Sequence, residues 1–156
     1  MSKSQRRVET ALKNAGILAE VQTMPDATRT AAQAADAVGC TVDQIAKSVI
    51  FRGETTGRVL LFLTAGGNTV DPTKAAALAD EPLGKADAAF VREKTGFAIG
   101  GVSPVGHLTE PRTFMDPRLL DFEKIWAAAG TPHAVFAISP QELTRIANAQ
   151  VYDFTS

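Results

Sequence analysis

The sequence predicts a mixed α/β (α+β) fold, in which a mixed, partly curled β-sheet is surrounded by helices. Helix-type and strand-type segments are interspersed along the chain, and two strand-type segments read as a hairpin, so a doubly wound parallel sheet fits poorly. Of the 156 residues, 45% are hydrophobic and 21% are charged, which is typical of a globular protein. The length fits one domain, and we expect that domain to span residues 1–156.

The first forty residues predict two helices and a short strand. Residues 4–15 carry apolar side chains at helical spacing, and Gly16 ends that helix. Residues 17–22 are predicted to form a short strand. Thr30 can cap a second helix that runs through Val38, because a threonine hydroxyl accepts a hydrogen bond from the free N–H groups at a helix start.

The firmest local prediction is a β-hairpin in the first half of the chain. Thr41 and Gln44 form a Thr-x-x-Gln capping box over a short helix that precedes it. Residues 48–51 are rich in β-branched and aromatic side chains, which favours a strand. A turn at residues 53–57 then leads into a partner strand at residues 59–63.

The second half of the chain continues the mixture of helices and strands. Asp71 caps a helix over residues 73–79, with Pro72 at its first position. Residues 97–102 predict an apolar strand that leads into a glycine-rich loop, whereas residues 90–95 suit either a strand end or a short helix. The remaining predictions are strands at 113–115, 124–128, 135–138 and 151–154, a helical turn at 117–122, and a helix from Ser139 to about Ala149.

Composition and charge narrow the classes of function. Cys40 is the only cysteine, so no internal disulfide can form, which suits a reducing cytoplasm. No apolar run approaches the ~20 residues that span a bilayer, so we expect no membrane partner. The formal net charge of −1 argues against a strong binder of duplex DNA. The two histidines lack a cysteine or carboxylate cluster at ligand spacing, and we expect neither a metal nor another cofactor.

Lys47 is the first candidate catalytic residue. It enters an apolar strand directly after a helix, within residues 45–51 (IAKSVIF). Its ammonium group must reach the surface or face a polar cleft, because burying it without a partner is costly. An ordinary surface lysine at a strand end is the alternative interpretation.

The glycine-rich loop at residues 100–107 (GGVSPVGH) is the second candidate. Its glycines let the backbone approach a ligand closely, and consecutive N–H groups in such a turn can bind an anion or a polarised carbonyl group. A tight structural turn is the alternative, and the spacing matches neither a Walker motif nor a dinucleotide-binding motif. A third segment, the polar loop at residues 64–71, could line a pocket with Thr64 and Asn68 or only link a strand to a helix cap.

The two motifs together resemble the YbaK/prolyl-tRNA editing-domain family. The first is Ile-x-Lys-Ser-x-x-Phe at residues 45–51, and the second is Thr-Gly-x-x-x-Gly-Gly-Val-Ser-Pro-x-Gly at residues 95–106. The resemblance runs nearly end to end, from the first helix to residues 139–149. Each motif alone is moderately specific for this family. The two motifs in this order, in a chain of this length, are quite specific for it.

The resemblance implies a freestanding aminoacyl-tRNA deacylase, which hydrolyses the ester of a wrong amino acid attached to tRNA, most often tRNA for proline. The family's essential lysine maps onto Lys47, and its substrate-binding glycine loop maps onto Gly100 and Gly101. The implied partner is the acceptor end of aminoacylated tRNA, bound weakly and in a salt-sensitive way, with help from prolyl-tRNA synthetase or an elongation factor. The candidate substrate-binding residues are Thr30, Ser48, Thr64, Asn68, Val102, Ser103, Pro104, His107, Ala129 and His133.

Three positions depart from the cysteine-clearing branch of that family. This chain has Thr30 where that branch has a phenylalanine, and Ala129-Gly130-Thr131 where it has a Ser-Gly-Gly turn. An acidic residue of that branch aligns near Phe136 here. A pocket with Thr30 and His133 is more polar at one end, which favours a small amino acid such as serine, threonine or alanine over cysteine.

The sequence contains no obvious Ser/His/Asp or Cys/His set, so positioning and electrostatics must supply most of the catalysis. The loop amides around Gly100–Val102 would hold the ester or amino-acid carbonyl group of the substrate. Lys47 would either neutralise the phosphate of the terminal adenosine or stabilise the developing oxyanion, while water attacks. The alternative function is a non-catalytic module of the same fold that holds a nucleotide, an amino acid or the tRNA 3′ end.

Overall fold

The computed structural model describes residues 2–28 and 30–156; Met1 and Arg29 of the predicted domain range lie outside the described residues. The α-helices in this part of the chain are α1 (Lys3–Asn14), α2 (Ala31–Val38), α3 (Pro72–Ala79), α4 (Ala88–Thr95) and α5 (Pro140–Ile146). The strands are β1 (Val21–Thr23), β2 (Ile45–Gly53), β3 (Val59–Ala65), β4 (Leu83–Lys85), β5 (Arg112–Met115), β6 (Ile125–Ala128), β7 (Ala134–Ile138) and β8 (Gln150–Val151). Short 3₁₀ helices occur at Val42–Gln44 and Pro117–Asp121.

All of these strands belong to one mixed sheet, in the order β1-β7-β6-β2-β3-β5-β8, with β4 also paired to β2. The β2–β6, β3–β5 and β5–β8 pairs are parallel, and the others are antiparallel. The predicted mixed α/β class is therefore confirmed, and so is the hairpin, in which Lys47 lies opposite Thr64 and Arg52 opposite Val59. No helix in the described ranges has the length and apolar character needed to cross a membrane.

Strand β3 is the centre of the core, and every one of its residues is buried. Successive side chains of a strand point to opposite faces of the sheet, and β3 supplies a separate apolar cluster on each face. Leu61 and Leu63 pack in the cluster that includes Val8 of α1. Phe62 packs on the other face, where its ring stacks on Phe114 at a centroid distance of 5.1 Å. Both faces of the sheet centre are thus covered, which fixes the register of β2.

Strand β2 lies at a split in the sheet. On the side away from β3, its first residues Ile45 and Ala46 pair with β6, and its last three residues pair with β4. Between these two pairings, residues 47–50 have β3 as their only strand partner in the described part of the chain. The split leaves space beside Lys47 and Ser48 that other segments of the chain can enclose.

The predicted helix starts are confirmed by side-chain caps. Thr30 Oγ1 accepts a hydrogen bond from the Gln33 N–H at 3.1 Å, and Asp71 and Ser139 cap α3 and α5 in the same way. These caps supply acceptors for N–H groups that the first helical turn leaves free. The Thr30 cap matters for the site described below, because its hydroxyl oxygen is occupied at the start of α2.

The predicted strand at residues 97–102 is wrong, and the segment is an irregular loop. Gly100 has a φ of +92°, which is incompatible with a strand, and the Gly101 N–H closes a turn by donating to the Ala98 carbonyl at 3.0 Å. Phe97 and Val102 are nevertheless buried. The apolar run therefore reflects packing of the loop onto the core rather than pairing in the sheet.

Smaller differences concern element ends. The segment at residues 90–95, which suited either element, is part of helix α4. The first predicted strand, 17–22, is instead β1, which begins at Val21, and the last, 151–154, is the two-residue β8. Strand β4 was not predicted, since its three residues include Gly84 directly after a proline-containing turn.

Candidate functional site

A cavity of about 130 Å³ opens at the split beside β2. Four separate stretches of the chain enclose it: the start of α2 with the residues before it, the start of β2, the glycine-rich loop, and β6–β7 with their connection. Its lining residues are Thr28, Thr30, Ala31, Ala34, Ile45, Ala46, Lys47, Ser48, Gly100, Val102, Trp126, Ala127, Ala128, Thr131, Ala134 and Val135. The two motifs singled out in the sequence, around Lys47 and Gly100, therefore meet at one cavity.

Lys47 lines this cavity, and two backbone carbonyl groups outside the lining bind its ammonium group. Its Nζ donates hydrogen bonds to the backbone carbonyls of Asn68, at 2.7 Å, and Gly66, at 3.4 Å. No carboxylate lies within ion-pair distance of Lys47 in the described chain. An ammonium group carries three hydrogens, so two carbonyl acceptors leave one donor and the whole positive charge available to a ligand.

The glycine-rich loop lines the same cavity with Gly100 and Val102. Within residues 2–28 and 30–156, the N–H groups of Gly100 and Val102 donate to no protein acceptor, although both residues line the cavity. Gly100 can adopt its positive φ at little cost because it has no Cβ. Free N–H groups in such a turn are suited to an anion or a carbonyl oxygen.

Gly101 is required for a close approach between two backbone segments. A Cβ built on Gly101 would lie 2.7 Å from Thr131 Cα and 2.9 Å from the Thr131 carbonyl carbon. The loop therefore packs directly on the turn that connects β6 to β7. The same β6–β7 turn also contacts the residues before α2, since the Thr28 N–H donates a hydrogen bond to the Pro132 carbonyl at 2.8 Å.

Ser48 lines the cavity and carries a buried hydroxyl group. Its Oγ is buried and has no hydrogen-bond partner among the described residues. Burying a hydroxyl group without a partner is costly, so this unpaired group beside the cavity calls for a structural or functional reason. Thr113 Oγ1 is also buried without a partner, but it lies in the core on β5, away from this cavity.

Several other candidate residues lie outside the cavity lining. Thr64 is fully buried and donates its hydroxyl hydrogen to the Phe62 carbonyl. Asn68 contributes its backbone carbonyl to Lys47, while its side chain bonds to Asp116. Ala129 is buried, and the His133 side chain is exposed. Pro104 and His107 lie at the rear of the glycine-rich loop, beside residues of α1 and α5, and Ser103 is fully buried.

His107 supports the glycine-rich loop from that rear side. Its Nε2 lies 2.6 Å from the Ser103 carbonyl, which only accepts, so Nε2 carries the hydrogen. Burial lowers the pKa of the imidazole; the hydrogen bond to the Ser103 carbonyl opposes this shift, and the charge of Arg7 adds to it. His107 is thus neutral at neutral pH and acts as a hydrogen-bond donor to the backbone of the loop.

The structure adds cavity residues that the sequence did not single out. Thr28 and Thr131 bring polar side chains to the mouth, and Trp126 covers part of the wall with Lys124 Nζ 5.3 Å from its ring centre. The sequence signal for these positions is weak, since they reach the cavity only through contacts between distant segments: β2 pairs with β6 at Trp126, and the chain before α2 bonds to the β6–β7 turn. Within the described ranges no three His, Cys, Asp or Glu side chains cluster as metal ligands would.

Comparison with known proteins gives one consistent result. The sequence matches the family described as "Aminoacyl-tRNA editing domain" over residues 25–146. It is 32% identical over 123 residues to the uncharacterized protein YwhH of Bacillus subtilis (strain 168), a match that covers 79% of this chain and 78% of that protein.

Similar solved structures agree with the family match. One similar chain, described as a candidate trans-editing enzyme for prolyl tRNA synthetase, has 47% sequence identity and a TM-score of 0.93, with 100% of this chain and 99% of that chain covered. Another, from work on grafting epitopes onto scaffold proteins, has 44% identity and a TM-score of 0.94 over 100% of this chain and 99% of that chain. The fold, the cavity and these matches together lead to one conclusion: this chain belongs to the aminoacyl-tRNA editing domain family.

Proposed function

We propose that this chain is a trans-editing aminoacyl-tRNA deacylase, in which residues 1–156 form one editing domain. It hydrolyses the ester that joins a mischarged small amino acid to tRNA, with serine, threonine or alanine preferred over cysteine and tRNA for proline as the carrier. The observation that carries the proposal is the meeting of one positive charge, Lys47, with the free N–H groups of Gly100 and Val102 around a single small cavity.

The reaction needs little more than positioning, since an aminoacyl ester is activated relative to an amide. Water attacks the ester carbonyl carbon, the carbonyl oxygen gains negative charge, and the bond to the ribose oxygen breaks as that oxygen takes up a proton. The N–H groups of Gly100 and Val102 are suited to hold the oxygen on which charge develops. The substrate's own ribose hydroxyl or amine can carry the proton.

Lys47 supplies the charge that the neutral loop lacks. Its ammonium group, already oriented by the carbonyls of Gly66 and Asn68, retains one free hydrogen for the phosphate of the terminal adenosine or for the ester oxygen. Both roles are electrostatic, and a lysine performs either as a point charge. Neither role makes Lys47 a nucleophile.

The size and lining of the cavity support a small amino acid. An apolar cavity of ~150 Å³ in another protein binds benzene, and alanyl, seryl and threonyl groups are comparable to benzene in size. Here about 130 Å³ is lined by residues that include six alanines and Ser48, whose hydroxyl is unpaired. This combination suits a short side chain that carries at most one polar atom.

The proposed partner is the acceptor end of aminoacylated tRNA. A chain of net charge −1 has few surplus cations for counterion release, so binding should be weak and salt-sensitive. Delivery by prolyl-tRNA synthetase or by an elongation factor would compensate for that weakness. We place this activity in the cytoplasm, where charged tRNA is made.

The direct test is hydrolysis of a panel of tRNAs charged with alanine, serine, threonine, cysteine and proline. We expect turnover of the first three to exceed that of cysteine, with prolyl-tRNA spared. If the folded protein hydrolyses none of them but binds an uncharged tRNA 3′ end, the alternative of a non-catalytic binding module replaces this proposal.

Thr30→Phe is expected to change which amino acid is cleared. The larger side chain would fill the mouth of the cavity and favour alanine over threonine by about 10-fold, the scale on which pocket size discriminates. The substitution also removes the N-cap of α2, which lowers the free energy of unfolding by ~1 kcal/mol. Thr30→Val is the matched control, since it removes the same hydroxyl without adding bulk. An unchanged substrate ranking in Thr30→Phe would exclude Thr30 from the pocket.

Ser48→Ala is expected to slow the clearance of seryl- and threonyl-tRNA by roughly 2–10-fold and to leave alanyl-tRNA unaffected. The reason is the loss of one hydrogen bond to the substrate hydroxyl, worth ~0.5–1.5 kcal/mol. Thr113→Val is the matched control because it deletes another buried, unpaired hydroxyl outside the cavity. Unchanged rates on all three substrates would contradict the assignment of Ser48.

A further inference from the structure

The segment 65–68, at the end of β3, forms a tight loop beside the ammonium group of Lys47. We refer to it as the 65–68 loop. Its carbonyl groups at Gly66 and Asn68 accept the two hydrogen bonds from Lys47 Nζ. The position of the ammonium group therefore depends on where this loop places two oxygen atoms.

Carboxylates bind three other polar groups of the 65–68 loop. Asp116, which is only 2% exposed, accepts from the Ala65 N–H at 3.1 Å and from Asn68 Nδ2 at 2.9 Å, both at Oδ2. Asp43 accepts from the Gly67 N–H at 2.9 Å. Three donors of the loop thus bind acidic side chains, while the carbonyl oxygens of Gly66 and Asn68 face the lysine. The Asn68 N–H instead closes the loop by donating to the Ala65 carbonyl at 2.8 Å.

We propose that Asp116 is a positioning residue for Lys47 and acts through Asn68 and the 65–68 loop. The Asn68 amide carries the connection, because its side chain binds Asp116 while its backbone carbonyl makes the 2.7 Å contact with Lys47. The inference rests on the proposed deacylase function for its catalytic consequence, whereas the contact with the lysine can be observed without any substrate.

An N-cap role alone does not account for both carboxylate oxygens of Asp116. Its Oδ1 accepts from the Arg118 N–H at 2.9 Å, which is the ordinary task of an N-cap and needs only one oxygen. The second oxygen is directed at the 65–68 loop, and no cationic side chain in the described chain forms an ion pair with Asp116. A carboxylate buried without such a partner is costly, so its hydrogen bonds to the loop must offset that cost.

The test replaces Asn68 and leaves Lys47 and the cavity lining intact. Asn68→Ala removes the bond to Asp116, and we expect kcat to fall by about 10–100-fold with little change in KM, as misplacement of a catalytic group produces. Asn68→Asp places two carboxylates side by side, which raises the pKa of one of them. Once protonated, Asp at this position can again donate a hydrogen to Asp116.

The activity of Asn68→Asp relative to the unmodified protein should therefore rise as the pH falls from about 8 to about 5, whereas that of Asn68→Ala should stay constant. Asp87→Ala is the matched control: it deletes the carboxylate cap of α4, which accepts from the Phe90 N–H at 2.8 Å outside the site. It should lower stability without altering the pH profile. Equal pH profiles for Asn68→Asp and Asn68→Ala would overturn the proposal.

A second measurement separates this inference from the proposed function. In a ¹H–¹⁵N NMR spectrum of the lysine side chains, hydrogen exchange at Lys47 Nζ should be slowed by its two carbonyl partners and should accelerate at least several-fold in Asn68→Ala. This result would support the positioning role even if no tRNA ester were hydrolysed. Unaltered exchange in Asn68→Ala would overturn the positioning role, whatever the outcome of the activity assays.

Discussion

Lys47→Ala should lower kcat for deacylation by ~10²–10³-fold, the loss typical of removing one preorganised charge contact. Its ammonium group is the one positive side chain that lines the cavity among the described residues. Two carbonyl groups hold it in place, so its contribution to a transition state requires little reorganisation. Single-turnover hydrolysis of mischarged tRNA measures the effect directly.

The controls for Lys47 separate charge from folding. Lys47→Ala leaves two carbonyl groups without their donor, so the melting temperature must be measured and the assay run well below it. Lys74→Ala removes a lysine that pairs with Asp153 at 3.2 Å, outside the cavity, and should leave turnover unchanged. Near-normal turnover in a folded Lys47→Ala protein would remove Lys47 from the mechanism.

Gly101→Ala should lower kcat by about 10²-fold. Its new methyl group would lie 2.7 Å from the backbone of Thr131, and backbone cannot rotate away as a flexible side chain could. The glycine-rich loop and the β6–β7 turn must therefore separate, which moves the N–H groups of Gly100 and Val102 relative to Lys47. Misplacement by about 1 Å can cost 10²-fold in rate.

Gly57→Ala is the matched control for that loop variant. Gly57 has a φ of +71° in the hairpin turn, and no atom lies within 4 Å of where an added Cβ would be, so the substitution strains the backbone without a collision. It should lower the melting temperature and spare kcat. If Gly101→Ala lost stability and kept its kcat, the loop amides would have no part in catalysis.

The sequence predicts the fold well where the signal is local. Helix caps such as Thr30, Asp71 and Ser139 act within a few residues, and the β2–β3 hairpin depends on one turn. The wrong strand at residues 97–102 has a physical reason. Its apolar side chains report burial, and a strand and a buried loop bury apolar residues alike, so only the positive φ of Gly100 separates them.

The site is less predictable because it is assembled across distant segments. Lys47 and Gly100 carry recognisable motifs, and the structure places both at the cavity. Thr131 and Thr28 belong to it only because the chain before α2 packs on the β6–β7 turn. His133 follows the opposite pattern: its neighbours line the cavity while its own side chain faces outward, a difference of orientation that spacing alone does not reveal.

The strand order also has a kinetic consequence. The β2–β3 hairpin pairs residues close in sequence and can form early, whereas β1 pairs with β7 through partners such as Val21 and Phe136, which lie more than a hundred positions apart. Contacts of such long range are slow to form because loop-closure entropy must be overcome first. We therefore expect Lys47 to reach its strand early in folding and the wall around Thr131 to close late, so that a nascent chain acquires a substrate pocket only after β7 has been synthesised.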